Sequence, residues 1–264
     1  MNSLEKQNLK NYLDQLAQKY ETPQFIDDDP ILVPHRFTTL QDIEISGLIA
    51  ATLAWGQRKT IIKNANRFIE LMDNDPFNFA KNHQESDRKV FQKFVHRTFN
   101  EVDAYNFLEF FKKYYSYCDT LETIFVEASL RTNDASIISG LSAFKPLFMS
   151  LSEAEARTQK HVASPIKNSA CKRLCMFLRW MVRSSDKQVD FGLWKKIGSQ
   201  NLLIPLDVHV ARQARQLKLL THPKDDFTAV KELTQKLKEF DAADPIKYDF
   251  ALFRLGIDAK ETSF

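Results

Sequence analysis

An aspartate placed just before an amphipathic run can do two kinds of work, and Asp207 in Ile204-Pro205-Leu206-Asp207-Val208-His209-Val210 is open to both. As a helix N-cap, its carboxylate accepts backbone N–H bonds and complements the helix dipole. As a catalytic group, it stabilises developing positive charge or activates a nucleophile. A second candidate set follows Ser169. There Cys171, Leu174, Cys175, Leu178, Met181 and Val182 read as the buried side of a helix. Lys172, Arg179 and Arg183 fall at i, i+7 and i+11 on another face, with Arg173 beside them. Four cations with no acid in the same helix form either a solvated face or a set of phosphate ligands. The third set is Ala54-Trp55-Gly56-Gln57-Arg58-Lys59. Gln57 reads as an exposed turn residue, or as a side chain offered to a duplex with Arg58 and Lys59 on its backbone. Asp27, Asp28, Asp29 and His35 offer a metal-hydrolase alternative, although acids beside proline also cap turns and helices.

Helices must position these residues. Leu9, Leu13 and Leu16 predict a helix from about Leu4 to Tyr20, ended by Pro23. An extended stretch is expected from Asp27 to Pro34. Thr39-Leu40-Gln41-Asp42 reads as a capping-box variant that opens a helix bearing Ile45, Leu48, Ile49, Thr52 and Leu53. Gly56 interrupts the pattern, and a second helix begins near Arg58 with Ile61, Ile62, Ala65, Phe68, Ile69 and Met72 inward. Phe107, Phe110, Phe111, Tyr114 and Tyr115 form an apolar stripe. After the short link His161 to Ser169, Ser169 is expected to cap a helix reaching about Arg183. A polar stretch, Ser184 to Gln188, follows. A further helix is predicted from Asp207 to Leu220, broken by Thr221-His222-Pro223. The last starts at Asp244-Pro245 and is expected to end at Gly256 as a C′ residue. No period-2 strand stands out.

Composition agrees with an all-α chain. It has 264 residues, 44% hydrophobic and 27% charged, with only 6 glycines and 21 phenylalanines. Few glycines argue against the many tight turns of all-β folds. The net charge of +3 admits a nucleic-acid partner only if the cations gather on one face. The cysteines Cys118, Cys171 and Cys175 read as reduced thiols, with Cys171 and Cys175 as a buried apolar pair. Met1 to Lys6 carry no apolar signal core, and no stretch has the length of apolar sequence that crosses a membrane. A cytoplasmic protein is expected, with neither a metal nor another cofactor required.

In chain order, four blocks resemble the helix-hairpin-helix (HhH-GPD) DNA glycosylases. Leu48 to Lys59 looks like the helix and polar turn whose glutamine or asparagine enters the DNA stack. Ser164 to Lys172 looks like the hairpin, followed by the helix that carries the catalytic lysine of bifunctional members. Ile204 to Val210 resembles the block with the essential aspartate. Tyr248 to Gly256 resembles the closing helix, which typically ends Leu-Gly. The chain also looks like a distant member lying within an uncharacterised bacterial family. The resemblance departs in two places: no glycine occurs from Val162 to Lys172, so Asn168 would supply the left-handed turn, and an insertion around Ser184 to Gln200 lengthens the interval from Lys172 to Asp207.

The resemblance implies an all-helical unit over 1–264, with two helical subdomains and a cleft between them. A central region, 40–219, would hold the hairpin, and 1–39 would pack with 220–264. It implies base excision from damaged or abasic duplex DNA, with a base flipped into a pocket and possible abasic-site lyase chemistry. Lys172 and Asp207 would be catalytic. Gln57, Arg58, Lys59, Asn168, Ser169, Arg173, Arg179, Arg183 and His209 would contact DNA. No cysteine follows Cys175, so the iron–sulfur cluster of some members is not expected. The alternatives are a non-catalytic nucleic-acid-binding module on the same fold and a helical protein-interaction scaffold. Lesion and oligomeric state are not encoded in these motifs.

Overall fold

The computed structural model describes residues 2–132, 137–152, 156–184 and 186–261. Ser185, in the expected polar stretch, lies outside them. In chain order the helices are α1 (Ser3–Tyr20), the single turn α2 (Gln24–Asp27), α3 (Leu40–Leu53), α4 (Arg58–Glu70), α5 (Pro76–Asn82), α6 (Glu101–Tyr114), α7 (Glu122–Thr132), α8 (Ile138–Ser152), α9 (Lys172–Val182), α10 (Val208–Gln216), α11 (Phe227–Lys238) and α12 (Tyr248–Glu261). Between α5 and α6 lies one antiparallel hairpin, β1 (Val95–His96) with β2 (Phe99–Asn100), pairing Val95 with Asn100 and His96 with Phe99. The chain is therefore mostly helical, as the composition predicts. No described helix is long and apolar enough to cross a membrane.

Short polar side chains start several of these helices by accepting N–H groups that have no partner inside the helix. Asn2 and Glu5 close a capping box on α1, with both bonds at 2.8 Å. Asn100 and Asp103 do the same for α6. At α3 the expected capping box is absent. Thr39 donates its hydroxyl to Asp42 instead, and Asp42 accepts the Phe77 N–H at 2.8 Å.

The chain divides into two units, 26–164 and 1–25 with 165–264. In the first, the inward residues of α4 are Ile61, Ala65, Phe68 and Ile69, with Met72 buried just beyond its end, close to expectation. Phe68 meets Phe91 with ring centroids at 4.9 Å, and Phe107 of the predicted stripe meets Phe148 at 4.7 Å. Glu44 is fully buried because it is fully used: it accepts from the Tyr115 hydroxyl at 2.7 Å, the Leu121 N–H at 3.0 Å and the Thr120 hydroxyl. The stretch from Asp27 to Pro34 is not extended. Its prolines, with φ already fixed near helical values, open two 3₁₀ turns, Pro30–Leu32 and Pro34–Arg36, and Asp29 caps the first through the Ile31 N–H.

In the second unit α12 packs against both α1 and α10. Gly256 does not end α12, which continues to Glu261. Its role is close approach: a Cβ there would come within 2.8 Å of the His209 Cβ. α11 is an element that the sequence periodicity does not reveal, and Asp226 caps it by accepting the Thr228 N–H at 2.9 Å. The observed boundaries also differ from a second subdomain made of 1–39 and 220–264. Residues 165–219 fall with the termini, and Arg179 of α9 and Arg183 just after it form the ion pairs with both terminal segments described below.

Candidate functional site

The site begins at the hairpin segment. Pro165–Lys167 forms a 3₁₀ turn, and Asn168 then takes a left-handed conformation with φ 56°, the role expected of it in place of glycine. Cys171 also turns left-handed, at φ 51°. Cys171, not Ser169, is the residue before α9; the Ser169 hydroxyl accepts the Cys171 N–H at 3.3 Å and so acts one step upstream of the helix. Asn168 is held in place by Asp226, which accepts its side-chain amide at 2.9 Å, while the Phe227 N–H reaches the Asn168 carbonyl at 3.2 Å. The cap of α11 therefore also fixes the turn that delivers Lys172.

Asp207 is the N-cap of α10. One carboxylate oxygen, Oδ1, accepts the N–H groups of His209 and Val210, both at 2.9 Å. The apolar run before it is anchored by burial of Leu202, Ile204 and Leu206 and by the Ile204 N–H on the Thr234 hydroxyl at 3.1 Å. With Oδ1 committed to the helix, Oδ2 is left for Lys172, whose Nζ stands 3.2 Å away. The side chains of Lys172 and Asp207 are 30% and 17% exposed, so the pair is reachable yet largely walled in. Asp207 thus acts as a cap through one oxygen and faces an amine through the other.

A second carboxyl stands behind this pair. Asp249, at the start of α12, is buried and accepts from Arg179. Burial pushes its pKa up to about 6, with the negative charge of Asp207 acting in the same direction and Arg179 and Lys172 opposing it. Sequence reasoning missed it, because an acid in the first turn of an apolar helix reads as a dipole partner. The shift carries a pH signature. The unfolded carboxyl ionises near its ordinary value, so the folded protein binds the extra proton between about pH 4 and 6. Stability therefore falls as pH rises through that window, by on the order of 2 to 3 kcal/mol for this group. Asp249→Asn is expected to remove that component, so urea unfolding from pH 4 to 7 will show a smaller decline for the variant than for the wild type.

Arg179 and Arg183, expected to contact DNA, are instead turned inward onto acids. Both are 3% exposed. Arg179 pairs with Asp190 at 3.2 Å and with Asp249, and lies over the Phe250 ring at 4.6 Å. Arg183 binds Glu21 through both terminal nitrogens, Asp190 at 3.1 Å and Asp244 at 2.9 Å. The acids come from α1's end, from the segment after α9 and from the turn before α12. These acids lie outside α9, so Arg179 and Arg183 of the expected cationic face belong to a buried ion-pair cluster. Arg173 is half-buried, and burial lowers its pKa. His209 is half-buried, and its Nδ1 lies out of solvent with no hydrogen-bond partner among the described residues. Cys171 and Cys175 are buried, and burial pushes the Cys175 pKa up.

In the other unit, Gln57 is exposed in the turn between α3 and α4, as expected, with Lys59 exposed and Arg58 half-buried. Gly56 shapes that turn with φ 119°. The acids and histidine considered for a metal do not converge: among the described residues no group of three or more His, Cys, Asp or Glu side chains is placed to hold an ion.

Residues 29–258 match a family described as "Protein of unknown function (DUF2400)". The chain belongs to the DUF2400 family. That match covers α3 to α11 in full and the start of α12, so every candidate site residue from Gln57 to Asp249 falls inside the DUF2400 region. Neither curated proteins nor solved structures give a match to the chain.

Proposed function

We propose that this DUF2400 protein is a base-excision-type DNA glycosylase with abasic-site lyase activity, on an HhH-GPD-like helical fold. The observation that carries this reading is the 3.2 Å approach of Lys172 Nζ to Asp207 Oδ2, from the starts of two different helices. The resemblance assigns a nucleophile and a carboxylate to these two residues, and a lyase needs them side by side. In the proposed reaction the Lys172 amine, its proton passed to the Asp207 carboxylate, attacks the anomeric carbon of a flipped nucleoside. The bond from that carbon to the base breaks, and its electron pair leaves on the base. Ring opening gives a protonated imine on Lys172, and loss of a proton from the neighbouring sugar carbon expels the 3′ phosphate. Asp207 also stabilises positive charge that develops on the sugar. Asp249 lies near enough to feel the charges of both residues and pairs with Arg179, which shares α9 with Lys172.

Phosphate contact falls to residues other than Arg179 and Arg183 in this scheme. Asn168 has its amide committed to Asp226, so the hairpin would contribute through its backbone and Ser169, with Arg173 and His209 nearby in sequence to the two catalytic residues. Gln57, Arg58 and Lys59 lie in the other unit, and the resemblance alone assigns them a contact with the duplex. Borohydride reduction in the presence of abasic-site DNA tests the proposal. A covalent adduct formed by the wild type and absent in Lys172→Ala supports the enzyme. Tight binding without adduct or base release favours a non-catalytic module, and no salt-dependent DNA affinity at all favours a protein-interaction scaffold.

A further inference from the structure

Two long segments of this chain contain no acid. Between Glu44 and Glu70 the charged residues are Arg58, Lys59, Lys63 and Arg67; between Asp87 and Glu101 they are Arg88, Lys89, Lys93 and Arg97. The fold brings these two segments together within one unit. His96 of β1 reaches the Trp55 carbonyl through Nε2 at 3.2 Å and Asn64 of α4 through Nδ1 at 2.9 Å, so the hairpin lies against the α3–α4 turn and the first half of α4. Arg157 clamps the far side, donating to the Thr98 carbonyl and to Asp103, both at 3.1 Å.

The hairpin tip has a specific shape. Arg97 takes φ 56°, and its guanidinium lies over the Trp55 ring, 4.7 Å from the centroid. Gly56 makes the room: a Cβ there would stand 3.1 Å from Arg97 Nη1. Arg97 is nonetheless exposed, as are Lys59, Lys63 and Lys93. Arg67 and Arg88 are neutralised by Glu70 and Glu109. Among the described residues, Lys59, Lys63, Lys93 and Arg97 join no ion pair. Lys59 and Lys63 are one helical turn apart on the same side of α4. In a chain of net charge +3, this is a local concentration of uncompensated positive charge with one guanidinium plane fixed on an indole.

We infer that the β1–β2 hairpin and the start of α4 form a docking surface for a nucleic-acid backbone, with Arg97, Lys93, Lys59 and Lys63 meeting its phosphates. The inference shares the nucleic-acid partner of the proposed function but needs no chemistry at Lys172. A nucleic acid fits better than an anionic lipid surface because the apolar side of α4, Ile61, Ala65, Phe68 and Ile69, is buried in its own unit and has no face left to insert. The fixed, planar guanidinium also suits phosphate oxygens or a base face better than a mobile lysine would.

The test is the salt dependence of binding of the full chain to a short undamaged duplex. Removing one cation that neutralises a phosphate lowers the slope of log affinity against log salt by about 0.9. Arg97→Gln is expected to lower it by about one such step and Lys59→Gln with Lys63→Gln by about two, with a severalfold loss of affinity. Arg97→Lys retains the slope, and Lys19→Gln on α1 changes nothing. Circular dichroism matching the wild type excludes misfolding as the cause. Unchanged slopes in both the Arg97→Gln and the double variant overturn the inference, as does binding to phosphatidylserine vesicles, but not to the duplex, that needs the same residues. If Arg97-dependent binding occurs without any borohydride adduct, the surface stands and the excision reading falls. If an adduct forms and the slopes do not move, the reverse holds.

Discussion

Replacing Arg183 by alanine is expected to cost about 3 to 5 kcal/mol of stability, the largest loss of any single substitution considered for this chain. The reason is the company the side chain keeps. Its guanidinium is nearly sealed from water and is shared by Glu21, Asp190 and Asp244. Burial alone would lower its pKa, but those three acids together hold it above the ordinary arginine value. Removing the cation strands acids that burial already disfavours, Asp190 above all, whose pKa is raised by burial. The cluster also joins α9 to the end of α1 and the turn before α12, so its loss loosens the elements that carry Lys172 and Asp249. Urea unfolding followed by circular dichroism measures the effect. A change below about 1 kcal/mol would mean that the cluster relaxes into solvent and does not hold the unit together.

The second large effect is expected at Asp207, where structure and chemistry can be separated by choice of substitute. Asparagine keeps an oxygen for the His209 and Val210 N–H groups and is as good an N-cap as aspartate. Asp207→Asn should therefore leave stability within a few tenths of a kcal/mol while removing the charge facing Lys172. Base release or strand cleavage is expected to fall by roughly 10²- to 10⁴-fold, the span usual for a group that moves a proton in the transition state. Asp207→Ala removes the cap as well, at about 1 kcal/mol. Equal activity in wild type and Asp207→Asn would reduce the residue to a helix cap.

Much of the helical framework was legible because period and caps coincide. The start of α4 follows directly from the break at Gly56, and the α10 cap follows from Asp207 preceding an amphipathic run. Other features were not legible, among them three with a clear physical reason. α11 is capped by Asp226 inside a polar stretch, Lys224-Asp225-Asp226, that reads as loop. Gly256 looks like a terminator in sequence, but its lack of a side chain serves helix contact with His209. Arg179 and Arg183 look like a cationic face because their acids, Glu21, Asp190, Asp244 and Asp249, lie elsewhere in the chain. The site itself was half visible. The block containing Asp207 and the lysine after the hairpin stand out by type and order, and their contact closes a sequence separation of 35 residues. Asp249 was hidden because an acid in the first turn of a helix reads as a partner of the helix dipole.

The central claim is that Lys172, paired with Asp207, is the amine that attacks the sugar. Peptide mapping by mass spectrometry of the borohydride-reduced adduct with abasic-site DNA tests it directly. The account predicts one modified peptide, carrying the sugar remnant on Lys172, and its disappearance in Lys172→Ala. A remnant on another lysine or on the terminal amine, or an adduct that persists undiminished in Lys172→Ala, would contradict it.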